Sequence, residues 1–542
     1  MKNKKNTLKF DWKKVGYSLL FALLFSIIVI IPDYLLRVFA KNYVAHFHAN
    51  TFLLIFCFMG SIFLVKSNKF FLTTVSLVWI LMLCSLFYFF HFGRYFIGSD
   101  ISLLFVETED IFIGFVSDIF NFWYLIVMCV ALFVLSIILR RATYKRVFHS
   151  NLFIITFIIS LLSYPGYVVM KRLYPDQYYP SVVRYIFRNG MNSLSMYVVD
   201  SFLQKDSAPD FTPYEVKKVS DITEPITIIL FMGESVSSNN MSLFGYNRQT
   251  TPNLDKLKND KNFIAIPAIS ASVRTGSSLP LFFNLQKEAQ NTAVTNEGYA
   301  NLLKLAKSQG FHTSIYSPQS SITFAQIGMQ YMDNVVYRDN ARKEYKERAD
   351  EYTLDLLKST ELKDKNFIFI QTRAVHFPYK NIYNNMPEYN VFDDKDLDTR
   401  INEYDNAMLY FDNFLSRMLD WAKGIDGKVY FIMTSDHGQM LGQNDKWGHS
   451  FLNKIISEVP FFIYTKGVSQ KNPWGGVYGQ DNIPPKLITH YDIGKLIAKI
   501  LGYEIINPNT PDNVYYINGT DITGNAGFIK YKIENGKFIE LN

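Results

Sequence analysis

Cysteine is almost missing from this chain. Of 542 residues only Cys57, Cys84 and Cys129 carry a thiol, and all three fall inside long apolar stretches. Residues 171–542 contain none, which excludes disulfide staples and thiolate metal ligands from that part of the chain. Histidine is scarce as well, with nine in all and only five beyond residue 170, at 312, 376, 437, 449 and 490. The sequence shows no internal repeat and no low-complexity tract, so it gives no support to a solenoid or a long disordered arm. Its length exceeds one ordinary domain. Residues 171–542 are numerous enough to bury a core without covalent staples.

What is present is unevenly spread. Residues 1–170 are dominated by Phe, Leu, Ile and Val and hold five apolar stretches, at about 15–31, 47–65, 70–90, 122–139 and 151–170. Each approaches the ~20 residues that carry a helix across a ~30 Å hydrocarbon core. Several such stretches follow the first and no small-residue cleavage site ends it, so it reads as an anchor and not as a cleaved signal. Six lysines lie in the first fourteen residues, Lys66 and Lys69 between the second and third stretches, and Arg140, Arg141, Lys145 and Arg146 before the fifth. The connection between the third and fourth stretches is acidic instead, with Asp100, Glu107, Glu109, Asp110 and Asp118. This alternation places the N-terminus in the cytoplasm, and five crossings put everything after residue 170 on the outer side. The net charge of +7 partly reflects these membrane-flanking residues, so nucleic acid is not an expected partner.

The expected organisation is a transmembrane domain over 1–170, an interfacial segment rich in Tyr, Arg and Pro over 171–217, and a globular domain over 218–542. In the last, β-rich apolar runs alternate with helical patterns: 226–232 then 251–257, 301–310 then 313–316, 350–357 then 367–371, 405–422 then 429–434. That alternation predicts an α/β domain with a largely parallel sheet. Such sheets bind ligands at the carboxyl ends of their strands. Polar residues stand at those places here: Gly233-Glu234-Ser235, Thr372-Arg373-Ala374-Val375-His376, and Asp436-His437-Gly438. Residues 434–450, TSDHGQMLGQNDKWGHS, put two histidines beside an aspartate in one polar loop. Turn geometry calls for Gly, Asn and Asp. It has no use for imidazole, the commonest metal ligand, so a metal site is expected.

Gly233-Glu-Ser235, the stretch Phe244-Gly-Tyr-Asn-Arg-Gln-Thr-Thr-Pro-Asn-Leu254, Ser435-Asp-His-Gly438 and His449 resemble the bacterial phosphoethanolamine transferases. These are inner-membrane enzymes with an alkaline-phosphatase/sulfatase-like outer domain. The resemblance covers nearly the whole chain, and 233–254 is its most specific part. It implies a multi-pass inner-membrane protein with a periplasmic catalytic domain. It also implies Glu234, Asp436 and His437 as ligands of one Zn2+, with a threonine nucleophile as the fourth, and His376 and His449 on substrate phosphate or a second metal. Glu107 and Thr108 in the acidic outer loop are expected to touch the donor lipid. Carboxylates and imidazoles suit Zn2+, with Mn2+ as the alternative ion. The stretch Pro267-AISASVRTGSSL-Pro280 offers Ser270, Ser272, Thr275, Ser277 and Ser278 as nucleophile. Thr275 is the choice: it follows an extended run, precedes Gly276, and stands just ahead of an expected helix with Pro280 in its first turn. The cysteine-flanked threonine of the best-known members is absent, so the register among these hydroxyls stays open. His312 and His490 lie in amphipathic contexts and read as structural.

The implied reaction moves phosphoethanolamine from phosphatidylethanolamine, through a phospho-threonine, to lipid A or another envelope glycan, with the enzyme acting as a monomer. Gln439 and Gln443 stand where relatives often carry Glu. The enzymatic alternative is a phosphoglycerol transferase of the lipoteichoic-acid synthase type. A sulfatase is disfavoured because Ser272 occupies the Pro/Ala position of the motif that Ser270-Ala-Ser-Val-Arg274 nearly matches.

Overall fold

In the computed structural model the described residues are 11–39, 49–92, 101, 122–173, 185–202, 212–289, 292–324, 326–338, 341–468, 485–520 and 526–541. The chain divides into two compact units, one helical and one α/β. Glu107 and Thr108 lie outside the described residues.

The helical unit contains α1 (Trp12–Phe39), α2 (Ala49–Leu64), α3 (Asn68–Phe92), α4 (Trp123–Thr143), α5 (Phe153–Leu173) and α6 (Ile186–Phe202). Among the described residues four helices, α1, α3, α4 and α5, are long and apolar enough to cross a membrane, where the sequence predicts five. The difference is α2. Its described length of 16 residues rises roughly 24 Å at 1.5 Å per residue, short of a ~30 Å core. Polar anchoring brings several helix ends together. Arg140 near the end of α4 donates to the Phe63 and Val65 carbonyls at the end of α2. Ser150 N–H, just ahead of α5, donates to Leu64 O. Phe148 N–H donates to Ser18 Oγ in the second turn of α1 at 2.8 Å. Thus α1 and α5 start where α2 and α4 finish. Residues 186–202, within the segment expected to be interfacial, form α6 in this unit.

The α/β unit is built on an eight-stranded sheet in the order β11-β3-β10-β7-β2-β6-β4-β5. The strands are β2 (Ile226–Gly233), β3 (Phe263–Ile269), β4 (His312–Ser317), β5 (Asn334–Tyr337), β6 (Lys365–Gln371), β7 (Lys428–Ser435), β10 (Glu458–Lys466) and β11 (Ile488–Thr489). The remaining strands are β1 (Glu215–Lys218) paired with β12 (Tyr503–Ile506), the small hairpin β8 (Met440–Leu441) with β9 (Trp447–Gly448), and a three-stranded sheet of β13 (Val514–Thr520), β14 (Ala526–Glu534) and β15 (Lys537–Glu540). In the large sheet every strand runs parallel to the rest except β10, which is antiparallel to both β3 and β7.

The central strands are apolar through their middle because both faces are covered. Ile228, Leu230 and Met232 of β2 join one core cluster together with Phe367 and Phe369 of β6. Ile229 and Phe231, with Ile368 and Ile370, join the other. The first cluster is closed by α7 (Thr275–Phe283), α8 (Leu302–Ser308) and α11 (His490–Ile500) through Phe282, Leu303 and Leu496. The second is closed by α9 (Arg342–Ser359) and α10 (Thr399–Lys423) through Leu354, Phe411, Phe414 and Met418. Two sequence-based expectations shift here. The helical pattern at 251–257 yields only the short turn Pro252–Asp255. Helix α7 starts at Thr275 itself, because Arg274 O accepts the Ser278 N–H at 2.9 Å, and Pro280 falls past the first turn.

Candidate metal centre and nucleophile

Parallel pairing of β2 with β7 puts Gly233 opposite Ser435, so the residues that follow both strands leave the same edge side by side. Glu234 follows β2, and Asp436 and His437 follow β7. All three side chains are buried, and one donor atom from each lies within 4.8 Å of the others. The hydroxyl of Thr275, at the first residue of α7, meets this group from the other side. Thr275 Oγ1 donates to Asp436 Oδ2 at 2.6 Å and lies 3.3 Å from His437 Nε2 and 3.3 Å from Glu234 Oε2. His437 Nε2 is 3.5 Å from both Glu234 Oε1 and Asp436 Oδ2.

These spacings test the fit to a metal. Donors held 2.0–2.2 Å from a tetrahedral zinc stand about 3.3–3.6 Å from one another. The Thr275–Glu234, Thr275–His437, His437–Glu234 and His437–Asp436 spacings of 3.3–3.5 Å match that, while the shorter Thr275–Asp436 contact is a hydrogen bond. The tautomer fits too. His437 Nδ1 lies 2.8 Å from Gly438 O, which can only accept, so Nδ1 carries the proton and Nε2 turns its lone pair inward. Two carboxylates, one imidazole and one hydroxyl form a donor set suited to Zn2+.

The surroundings fix these groups. Glu234 Oε2 accepts from Gln319 Nε2 at 2.8 Å and Gln371 Nε2 at 3.4 Å, and Oε1 accepts from Ser235 Oγ at 3.1 Å. Asp436 Oδ1 accepts from the N–H groups of Ser235 and His437, at 3.1 and 2.8 Å. Ser278 Oγ, in the first turn of α7, donates to Asp436 O at 2.5 Å. Ser235 holds this position with φ +60, a region that non-glycine residues seldom occupy, and the Tyr404 hydroxyl donates to its carbonyl at 2.8 Å. Glycine at 438 is a packing requirement: a Cβ there would stand 2.9 Å from Glu458 O.

His449 lies against His437, ring centroids 4.2 Å apart, and its Nδ1 is 2.9 Å from Gln439 Oε1. Buried Gln439 also reaches the Tyr379 hydroxyl at 2.5 Å, and burial pushes that phenol above its ordinary range. His376 stands five residues past the end of β6, with Nδ1 2.5 Å from Phe377 O. The start of its loop is held by Asp350 of α9, whose carboxylate takes the Arg373 N–H at 3.0 Å. Complete burial drives the Asp350 carboxyl up to about 7, partly offset by that N–H and the Arg373 charge. Ser270, the candidate of the sulfatase reading, is fully buried and donates its hydroxyl to Ser272 O at 2.7 Å. The structure thus gathers Glu234, Thr275, Asp436, His437 and His449 closely, while His376 sits on the neighbouring loop. Sequence reasoning passed over Gln319 and Gln371 and read His490 as structural. Gln371 carries the faint signal of a polar residue ending an apolar strand, whereas Gln319 and His490 carry none.

A mostly parallel sheet that delivers two carboxylates, an imidazole and a helix-borne hydroxyl to one edge has the layout of the alkaline phosphatase class. Residues 226–502, just over half of the chain, match the Sulfatase family, and the chain belongs to that family. It is 27% identical over 308 residues to the Kdo(2)-lipid A phosphoethanolamine 7''-transferase of Escherichia coli K12, covering 53% of this chain and 50% of that protein. The enzyme of the same name from Salmonella typhimurium LT2 is 29% identical over 309 residues, with the same shares. The chain therefore spans about half the length of the curated relatives it matches. The solved integral membrane protein lipooligosaccharide phosphoethanolamine transferase A from Neisseria meningitidis aligns with a TM-score of 0.55 at 17% identity, covering 90% of this chain and 95% of that one. That likeness is one of fold.

Proposed function

We propose that this chain is a metal-dependent phosphoethanolamine transferase of a bacterial inner membrane. It takes phosphoethanolamine from phosphatidylethanolamine onto Thr275 and passes it to lipid A or another envelope glycan. The observation that carries this reading is the contact of one helix-borne hydroxyl, Thr275 Oγ1, with all three members of a buried Glu-Asp-His set. The kinship with named phosphoethanolamine transferases supports the choice of group transferred.

Glu234, Thr275, Asp436 and His437 would hold the ion, Zn2+ on the donor chemistry. When bound it supplies a positive charge that lowers the basicity of the hydroxyl oxygen beside it. In the first half-reaction Thr275 Oγ1 loses to water the proton it now shares with Asp436 and bonds to phosphorus. The phosphorus–oxygen bond to diacylglycerol breaks, and diacylglycerol leaves as the alcohol after taking a proton. The N-terminal end of α7, which carries Thr275, would stand beside the phosphoryl oxygens, where a helix N-terminus favours negative charge. His449, held by Gln439, and His376 offset charge on the same oxygens. In the second half-reaction an acceptor oxygen attacks the phospho-threonine, gives up its proton, and frees Thr275.

For the membrane, the arrangement of helix ends supports a strictly alternating path in which α2 also crosses. Lys66 and Lys69 then share the cytoplasmic side with the N-terminal lysines, and the α/β unit lies in the periplasm. Incubation of the full chain in mixed micelles with labelled phosphatidylethanolamine or labelled phosphatidylglycerol tests the reading. Diacylglycerol is expected from the first lipid. Release from phosphatidylglycerol alone would make the protein a phosphoglycerol transferase instead.

A further inference from the structure

His490 opens α11, far in sequence from every residue assigned above, and it is 1% exposed. Its two ring nitrogens contact the backbone on both sides of the metal centre. Nδ1 receives the N–H of Ala271 at 3.2 Å, four residues before Thr275. Nε2 lies 2.9 Å from the carbonyl of Ser435, the residue before Asp436. Backbone groups have fixed roles, so the proton is assigned without ambiguity. Ala271 N–H can only donate, which makes Nδ1 an acceptor. Ser435 O can only accept, which makes Nε2–H the donor. The ring also meets Phe282 of α7 edge-on, centroids 5.1 Å apart, so it touches the helix that carries Thr275. A capping box fixes its own place: Thr489 Oγ1 takes the Asp492 N–H, and the Asp492 carboxylate takes the Thr489 N–H.

We propose that His490 is a positioning residue that ties the nucleophile-bearing segment to the metal-binding loop and thereby sets the distance from Thr275 to Asp436 and His437. The proposal rests on the roles given to those residues above. Any buried imidazole needs a partner for each ring nitrogen, but a core position alone does not require that the two partners be backbone groups of the nucleophile segment and of the metal-binding loop. The two contacts are also separable. Asparagine can put its amide oxygen near the Nδ1 position and keep the Ala271 bond. Glutamine can put its amide nitrogen near the Nε2 position and keep the Ser435 bond.

The test uses His490→Phe, His490→Asn and His490→Gln in the full chain. Three quantities are measured: Zn2+ affinity of the metal-free protein against a competing chelator, kcat and KM with labelled donor lipid, and the unfolding midpoint. His490→Phe is expected to lower both kcat and Zn2+ affinity by about tenfold or more, with KM little changed. His490→Asn should recover kcat more than affinity, and His490→Gln affinity more than kcat. If His490→Phe does not fold, the Asn and Gln variants carry the comparison. All folded variants within twofold of wild type in kcat and affinity, or an equal loss in Asn and Gln with no split, would overturn the proposal. Should the wild-type chain release no diacylglycerol, the transferase reading fails, and the affinity measurements still decide the role of His490 at the metal.

Discussion

Thr275 Oγ1 lies 2.6 Å from Asp436 Oδ2, across 161 positions of sequence. The contact defines which of five neighbouring hydroxyls faces the buried acids. Ser270 and Ser272 are turned into other bonds, Ser278 donates to a backbone carbonyl, and Ser277 pairs with Ser272. Thr275→Ala is therefore expected to remove donor cleavage to background while leaving the protein folded. Thr275→Ser keeps the attacking oxygen and should retain measurable turnover. Intact-mass measurement after incubation with donor should find a phosphoethanolamine adduct on the wild type and none on Thr275→Ala. Ordinary turnover in the alanine variant would remove Thr275 from its role.

The glutamines beneath Glu234 lead to a second expectation. Gln319 and Gln371 both donate to Glu234 Oε2, which aims the carboxylate at the point where His437 Nε2 and Thr275 Oγ1 converge. Partners of this kind typically account for a 10–100-fold change in metal affinity. Gln319→Leu should weaken Zn2+ binding by about that factor, and His437→Ala should lower bound zinc far more, both read by elemental analysis after dialysis. Chelation should abolish turnover and added Zn2+ restore it. Full zinc content in His437→Ala would refute the ligand assignment.

The stretch 244–254 shows how legible the sequence is, and where it stops being so. It belongs to the most specific part of the resemblance, and several of its long-range hydrogen bonds in the fold are with α10. Arg248 donates to Asp405 at 2.6 Å and to Asn402 at 2.7 Å, Tyr246 reaches the same Asp405, and Asp412 takes the N–H groups of Asn253 and Leu254. A recognisable motif is thus a brace between loop and helix, something no spacing rule announces. The sheet was readable because strands buried on both faces must be apolar through their middle, as β2, β6 and β7 are. The metal-site candidates were readable because each follows such a run. Antiparallel β10 was not, since an apolar run carries no direction. His490 was not either: its amphipathic helix explains its burial and conceals its two backbone contacts.

That brace is open to measurement. Asp405 is fully buried, and burial raises its carboxyl to about 6 despite the Tyr246 and Arg248 bonds that favour its charge. Removing one member of a buried pair typically costs about 3–5 kcal/mol, because the other charge is left without its partner. Arg248→Met is expected to destabilise the α/β unit by an amount of that order in urea unfolding. Arg248→Met combined with Asp405→Leu should recover most of the loss. Equal instability of the single and double variants would mean that Arg248 acts through packing on Phe392, 4.2 Å from its guanidinium, and not through charge.

Two buried groups should leave opposite marks on the pH dependence of stability. Burial lowers the His490 imidazole to about 4, below its usual 6.5. Between pH 4 and 6.5 the unfolded chain binds a proton there that the folded chain refuses, so stability rises with pH by about 3 kcal/mol over that interval. Asp350 behaves the other way. Its carboxyl, raised to about 7, keeps a proton in the folded state that the unfolded chain has already lost above pH 4. Stability from this group is fully present below pH 4 and falls by about 4 kcal/mol as pH rises to 7. Buried Asp405 and Asp412, both raised to about 6, act in the same direction as Asp350, so the wild-type α/β unit should lose stability from pH 4 to 6.5 despite the opposing slope of His490. Asp350→Asn should make that fall shallower, and His490→Asn should make it steeper, in urea unfolding followed by tryptophan fluorescence. Identical profiles in the two variants would show that neither group keeps its shifted proton affinity in the folded protein.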